Sequence, residues 1–452
     1  MLNKIFTQKH SLIWLLFHVA LGVISTRVNF ILIIWFFIIL IELLYCLFKS
    51  KKDSFSFIGG LVYLVSFEIL ARMSNASPFI PYEMGKYVFL LFLLARLIVE
   101  GKRANKGALI VILMLPSLFI DFSGEVVASD WLFNLCGLFN IGLSIWYFTD
   151  KKCLSIELVT LLRLIILPLV SALSFAIIKT PEYSEIEFDL GANFDTTGGF
   201  GSNQVSTIFG LGFFIIFVSI YKKLNMFRNI YIEYLIFLIF FFQGIISFSR
   251  GGVYGGLLAI FLVYVIDLFK KNHSRSRLFF RGSLSILFLI LLFVAANNIT
   301  GGNLLLRYQG ETAGTLNGTR DKDLNTLTSN RADIFEGDID LFKNNIILGV
   351  GGGASKYIRT TQKNVLTHVE LSRTLAEHGL LGLIIVILLF YLVYNVVVRN
   401  LHLDYGGILI AFAVLSLYTT FHAATRTFVS PLLIGISVMI LQEKRLVFKN
   451  GK

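Results

Sequence analysis

The run NFILIIWFFIILIELLYCLF, residues 29–48, holds one charged side chain, Glu42, in twenty residues. As an α-helix it would be about 30 Å long, the thickness of a bilayer's hydrocarbon layer. No water is available there to bond free amides and carbonyls, so a spanning segment of this kind has to be helical. The same test, carried outward along the chain, finds about fourteen apolar runs, near 11–25, 29–48, 55–72, 85–101, 107–121, 130–149, 154–178, 204–221, 230–248, 251–269, 280–297, 379–398, 405–423 and 428–442. The 452 residues are 56% hydrophobic and only 15% charged, with a mean hydropathy of +0.77. Soluble domains carry nearer a quarter charged residues. The expected fold is therefore all-α. It is a single polytopic integral membrane domain over 1–452, with about 12–14 transmembrane helices and one large extracytoplasmic loop containing short helices.

The net charge of +12 raises the question of nucleic acid. In a polytopic chain, however, Lys and Arg mark cytoplasmic loops. With the N-terminus inside, alternate loops receive Lys49, Lys51 and Lys52; Lys102, Arg103 and Lys106; Lys151 and Lys152; Lys222, Lys223 and Arg228. The series goes on with Lys270, Lys271, Arg275, Arg277 and Arg281, then Arg399, then Lys444, Arg445, Lys449 and Lys452. The opposite loops hold acids instead: Asp121, Glu125 and Asp130, then Glu182, Glu185, Glu187, Asp189 and Asp195. Both termini are expected in the cytoplasm, and no nucleic-acid partner is expected. No cleavable signal peptide is expected, because the first apolar run passes straight into the second. Cys46, Cys136 and Cys153 form no metal-type pair and no disulfide framework.

On this topology residues 298–378 form an outer loop of about eighty residues, too long for a simple connector. Ala332, Phe335, Ile339, Phe342 and Ile346 recur at helical spacing and predict an apolar stripe that packs on the bundle or lies in the interface plane. The Asn/Thr/Gly-rich piece 308–330 is expected to be mobile.

Three elements could carry chemistry. Arg250, in ISFSRGGVYGG (245–255), falls at the outer face at the start of a span. A guanidinium beside the positive end of a helix, followed by Gly251 and Gly252, suits an anion such as phosphate; the plainer reading is an arginine reaching to lipid headgroups. Arg331 opens the amphipathic segment RADIFEGDIDLFKNNIILGVGGG (331–353). A first-turn arginine opposes the helix dipole and needs compensation, from a bound anion or from Asp333. The glycine run 349–353 can cradle phosphate or serve as a flexible turn. The third element is THVELSRTLAEHGLLG (367–382), where His368, Glu370, Arg373, Glu377 and His378 gather just before a span. His368 has the titration range for proton transfer near neutrality, with Glu370 and Glu377 to orient it; otherwise it is an interfacial polar residue.

No HExxH and no cysteine cluster is present, so no metal and no cofactor is expected. Nucleotide donors are absent outside the cytoplasm, but a lipid-linked diphosphate can be presented there. Arginines can stabilise its departing diphosphate, and a histidine can take the proton of an attacking hydroxyl.

These residues resemble the O-antigen ligase and O-antigen polymerase superfamily of bacterial envelope glycosyltransferases. Its signature has a histidine, a small polar residue, nine free positions, then glycine, two free positions and glycine; His368, Gly379 and Gly382 reproduce that spacing, with Val369 as the departure. SFSRGG (247–252) is similar to the family's Ser-Arg-Gly turn, and Arg331 to GVGGG is similar to its approach to the histidine. The likeness covers about 250–382, with GFGSNQVST (199–207) as a further short match. It implies an inverting, metal-independent transferase acting on an undecaprenyl-diphosphate-linked oligosaccharide in the bacterial cytoplasmic membrane, with the active site outside. It implies His368 as catalytic base and Arg250 and Arg331 as diphosphate-binding, with Arg359, Glu370 and Arg373 as secondary candidates. The acceptor is a lipid-linked repeat for a polymerase or lipid A–core for a ligase. Val369 and a span count nearer fourteen than twelve favour the polymerase. Membrane lipid and a chain-length regulator are the further partners implied. A transporter of lipid-linked glycan is the alternative from another class, because Arg96 and Arg163 fall inside apparent spans; pairing with Glu68 or Glu157 is the other account of them.

Overall fold

The computed structural model describes residue 5 and residues 7–49, 54–270, 275–365 and 369–443, with 275–286 described by backbone alone. The chain is 72% helical. Ten helices precede Arg250: α1 (Ser11–Ser25), α2 (Phe30–Phe48), α3 (Ser54–Val65), α4 (Glu68–Met73), α5 (Met84–Glu100), α6 (Lys106–Met114), α7 (Ala128–Phe148), α8 (Ser155–Lys179), α9 (Ser202–Tyr221) and α10 (Ile230–Ile246). Two long helices follow, α11 (Arg250–Phe269) and α12 (Arg275–Ile299). The long loop then carries α13 (Asn303–Tyr308), α14 (Ala313–Leu316), α15 (Leu324–Thr328), α16 (Arg331–Asn344) and α17 (Ser355–Ile358). The chain ends with α18 (Glu370–Asn400), α19 (Gly406–His422) and α20 (Val429–Val438). A helix meets every one of the apolar runs read from the sequence. Among the described residues seven helices are long and apolar enough to cross a membrane, and five shorter apolar helices accompany them.

The structure departs from expectation in five places. The run 55–72 breaks between Val65 and Glu68, so it forms two helices. α18 starts before its apolar part and turns at Gly379, whose φ of 60° and ψ of −134° are non-helical. Two three-residue strands, β1 (Lys152–Leu154) and β2 (Ile440–Gln442), pair in parallel with Cys153 opposite Leu441, a small addition to an otherwise all-α chain. The segment 308–330 contains α14 and α15, each opened by a capping side chain, Thr312 and Asp323. Finally, α16 buries Ile334, Gly337, Asp338 and Leu341 rather than the predicted stripe, leaving Phe335 44% and Ile346 50% exposed. That face mixes polar and apolar contacts: Asp338 accepts a hydrogen bond from Ser372 Oγ at 2.7 Å, Gly337 leaves room for the Arg359 stem, and Leu341 packs with Val350, Ala354 and Ala376.

Packing in the second half of the bundle depends on small residues. α9 lies on α10 and α11, α11 on α19, and α19 on α20. A Cβ at Gly252 would sit 2.1 Å from the Ser206 carbonyl oxygen, and one at Gly210 2.0 Å from that of Gly252. The backbones of α9 and α11 therefore touch, as small residues four apart allow in apolar surroundings. Arg96, in the apolar run 85–101, does not pair with Glu68 or Glu157. Its Nε donates to Glu100 at 2.8 Å and its Nη1 to the Leu47 carbonyl at 2.7 Å, while Glu68 pairs with Arg72 and Glu157 caps the Leu154 amide. The charge of Arg163 faces Glu233. Both arginines have local electrostatic partners, which removes the motive for reading them as a transport path.

Candidate active site

The turn before α11 fixes Arg250. Phe248 adopts a left-handed backbone, φ 57°, and Asn193 N–H donates to the Ser247 carbonyl at 3.0 Å. Ser249 Oγ donates to Asn203 Oδ1 at 2.7 Å and accepts from Ser206 Oγ at 2.8 Å, so the small polar residues that open α9 hold the start of α11. Arg250 then leaves the first turn of α11 and reaches into the long loop. Its Nη1 donates to the Arg307 carbonyl at 3.0 Å and its Nη2 to the Leu327 carbonyl at 2.9 Å.

Arg331 arrives at the same place from the start of α16. Its Nη1 donates to the carbonyl of Thr328, the residue next to Leu327, at 3.2 Å. Its Nε is buried and has no hydrogen-bond partner. Arg307, on α13, completes the group, with Nε donating to the Phe248 carbonyl at 3.3 Å. Arg250 and Arg307 thus latch each other, each guanidinium bonding a carbonyl of the other's segment. Burial, with the positive charges of Arg250 and Arg331, holds the Arg307 guanidinium down to about 10. Arg331 is also lowered, through burial and the charge of Arg250, with Tyr418 opposing the shift. Among the described residues no carboxylate forms an ion pair with any of the three.

Aromatic and imidazole groups close the cluster. The Tyr308 hydroxyl is buried without a hydrogen-bond partner, and its ring stands edge-on to Tyr254 at 5.6 Å. His422, at the end of α19, stacks on Tyr418 at 5.7 Å and directs Nε2 to Thr207 Oγ1 at 3.4 Å; its Nδ1 is buried and unpartnered. The ring occupies the space that Gly251 leaves, since a Cβ there would lie 1.7 Å from His422 Cδ2. Gly251 and Gly252 therefore serve packing against His422 and α9. Arg331 Nε, Tyr308 Oη and His422 Nδ1 are orphaned polar atoms on residues close enough to the arginine cluster to share its electrostatics, and a bound anion with several acceptor oxygens would complete such a group.

A second group of arginines is wired differently. Arg373 donates through Nη1 to Asn134 Oδ1 and through Nη2 to the Asn134 carbonyl, each at 2.6 Å, and pairs with Glu370. Glu370 also accepts from the Thr425 amide and hydroxyl at 3.2 and 3.0 Å. Glu377 lies 3.8 Å from Arg373 Nε and accepts from Ser355 Oγ at 2.7 Å. Arg359 stands 3.5 Å from Asp338 and donates to the Val365 carbonyl at 2.7 Å. Arg359, Glu370 and Arg373 are thus part of a buried ion-pair network. His368 lies outside the described residues. The network binds the chain on both sides of it, at Val365 and at Glu370.

The glycine run 349–353 neither cradles an anion nor hangs loose. Val350 N–H donates to the Ala376 carbonyl at 2.9 Å, Gly351 N–H to Glu377 at 3.2 Å and Gly352 N–H to Ser117 at 2.9 Å. The break at Gly379 exposes the first two of these acceptors, and Leu380 N–H beyond it donates to the Ile346 carbonyl at 2.7 Å. Gly382 lets the second half of α18 fold against the first, because a Cβ there would meet the Thr374 carbonyl at 2.1 Å.

The sequence also contains two Asp-x-Asp spacings, 321/323 and 338/340. Asp338 points inward to Ser372 and Arg359, Asp340 pairs with Lys343 at the surface, and Asp323 caps α15. Among the described residues no three His, Cys, Asp or Glu side chains gather as a metal site.

Residues 234–387, about a third of the chain, match the family model described as O-Antigen ligase. The match supports assigning this region to the O-antigen ligase/polymerase superfamily. No curated protein and no solved structure matches the chain. The O-antigen ligase region runs from α10 through the first half of α18, and so contains Arg250, Arg307 and Arg331 but not Tyr418 or His422. Sequence reasoning missed Arg307, Tyr308 and His422. One signal was available for Arg307: an arginine in the long loop assigned to the outer face is as disfavoured there as Arg250.

Proposed function

We propose that this protein transfers a glycan from an undecaprenyl-diphosphate carrier to an acceptor hydroxyl at the outer face of the bacterial cytoplasmic membrane, without a metal, and so polymerises repeat units of O-antigen or a similar surface polysaccharide. One observation carries the reading. Arg250 and Arg331, 81 positions apart in the sequence, bond adjacent loop carbonyls, at Leu327 and Thr328, and among the described residues no carboxylate forms an ion pair with either. Guanidinium groups match phosphate oxygens in geometry and keep their charge when buried.

In this reading Arg250 and Arg331 hold the diphosphate, and His368 takes the proton of the acceptor hydroxyl as its oxygen attacks the anomeric carbon. The bond to the diphosphate breaks with its electron pair on the leaving oxygen. Both termini are cytoplasmic. The charge distribution supports this orientation: Lys222 and Lys270 bond Asp267 at the end of α11 opposite the arginine pocket, near Arg399, which caps the end of α20.

Purified protein reconstituted with lipid-linked repeat units tests the proposal, with and without lipid A–core. Ladders of joined repeats without core are expected. Strict dependence on core would make the protein a ligase, and no joining under either condition would refute glycosyl transfer. His368→Ala, Arg250→Ala and Arg331→Ala should each abolish the ladder while leaving protein levels intact.

A further inference from the structure

We infer that Arg307 is a third diphosphate ligand of this pocket, placed to answer the negative charge that appears on the leaving group as the glycosidic bond breaks. The inference rests on the diphosphate reading above.

In the donor, the diphosphate is esterified at both ends and carries one negative charge on each phosphoryl group. Two guanidinium groups balance it. As the acceptor oxygen bonds to the anomeric carbon and loses its proton to the base, the anomeric C–O bond breaks and its electron pair stays on the diphosphate. The leaving group therefore gains one further negative charge. An enzyme accelerates the reaction through contacts that strengthen as this charge develops, not through those equal in ground and transition states. A third fixed cation beside the first two supplies such a contact.

Arg307 has the geometry for that role. Its Nε is held by the Phe248 carbonyl at 3.3 Å, in the turn from which Arg250 springs. The Arg307 carbonyl in turn holds Arg250 Nη1 at 3.0 Å. Among the described residues neither terminal nitrogen of Arg307 makes a hydrogen bond, so both remain for a ligand. Arg250, Arg307 and Arg331 are close enough to repel one another, and among the described residues no carboxylate forms an ion pair with them, Asp189 acting on Arg307 through its charge alone; without an anion, burying a third guanidinium here is a net cost. The depressed titration of Arg307, toward about 10 through burial and its two neighbours, is the trace of that cost.

Arginine footprinting of the full-length protein with phenylglyoxal, read by peptide mass spectrometry, tests the placement. Farnesyl diphosphate serves as the probe of a singly esterified diphosphate. It should slow modification of Arg307 about tenfold, together with Arg250 and Arg331, while the ion-paired Arg373 resists labelling throughout. Protection of Arg250 and Arg331 with Arg307 unaffected would overturn the inference and leave the diphosphate reading standing. Protection of none of the three would overturn both. In the reconstituted reaction, Arg307→Gln should lower kcat at least about tenfold with KM for the lipid-linked donor little changed, and Arg307→Lys should restore part of the loss. A raised KM with unchanged kcat would refute the charge-development role, leaving Arg307 only to hold the ground state.

Discussion

Around Arg373, two guanidinium nitrogens bond Asn134, one of them also pairs with Glu370, and the third lies 3.8 Å from Glu377. Around Arg331, one nitrogen bonds the Thr328 carbonyl, Nε is buried without a partner, and the nearby charges of Arg250 and Arg307 are of the same sign. Both arginines leave helices at the margin of the long loop. In the Arg373 group each cation faces an acid, although Asp338 Oδ1 and the neighbouring His378 Nδ1 are buried without a hydrogen bond. In the Arg250–Arg307–Arg331 group no described carboxylate forms an ion pair, and Asp189 acts on Arg307 through its charge alone. A buried arginine is thus weak evidence for a binding site, and a buried arginine without its acid is stronger evidence.

Four substitutions should separate the two clusters. The largest effect on folding is expected from Arg373→Ala, which leaves Glu370 and Glu377 buried without their cation. A loss of about 3–5 kcal/mol is expected, seen as a large drop in the melting temperature of the detergent-solubilised protein. A change below about 1 kcal/mol would break the contrast. Arg331→Gln should lower glycan transfer by about 10²–10³ while thermal stability holds or rises, because a cation is removed from a repulsive group. A comparable loss of stability would mean that Arg331 is structural too.

A pH scan sharpens the comparison further. Burial, only partly offset by Arg359, raises the Asp338 carboxyl to about 6, against about 3.9 in an unfolded chain. The native state therefore binds the extra proton between about pH 4 and pH 6, and this group's contribution to stability declines as pH rises through that window. Relative to Asp338→Asn, the wild type should lose up to roughly 3 kcal/mol across it; a flat difference would remove Asp338 from the account. The smallest effect should come from Lys343→Ala, which breaks a 3.4 Å pair with Asp340 whose side chains are 68% and 65% exposed. Stability should move by less than about 0.5 kcal/mol and transfer not at all.

Much of this was legible in the sequence. Runs such as 29–48 and 204–221 fixed the helices, because bilayer thickness and backbone satisfaction leave few alternatives. Arg250 stood out because an arginine at an expected outer face needs a reason, and Arg331 because a first-turn arginine opposes its helix dipole. The boundary at Gly379 was legible as the start of the run 379–398, but its positive φ was not, since that depends on what the loop 346–351 supplies. The buried face of α16 differs from the apolar stripe because periodicity locates apolar residues, whereas α16 packs through Ile334 and Leu341 together with Asp338, which meets Ser372 and Arg359. His422 and Tyr308 escaped notice because neither carries a local signal; α19 and α13 bring them to the arginines only in the folded chain.

The splice between the glycine run and the interrupted helix has a practical consequence for building chimaeras. Residues 346–351 and 376–380 exchange four backbone hydrogen bonds, from Val350, Gly351 and Leu380, the last shared between Ile346 and Ile347. A graft that transplanted the long loop without the matching start of the following helix would strand donors and acceptors at this seam. Exchange of glycan preference between relatives should therefore succeed only when both halves of this seam travel together.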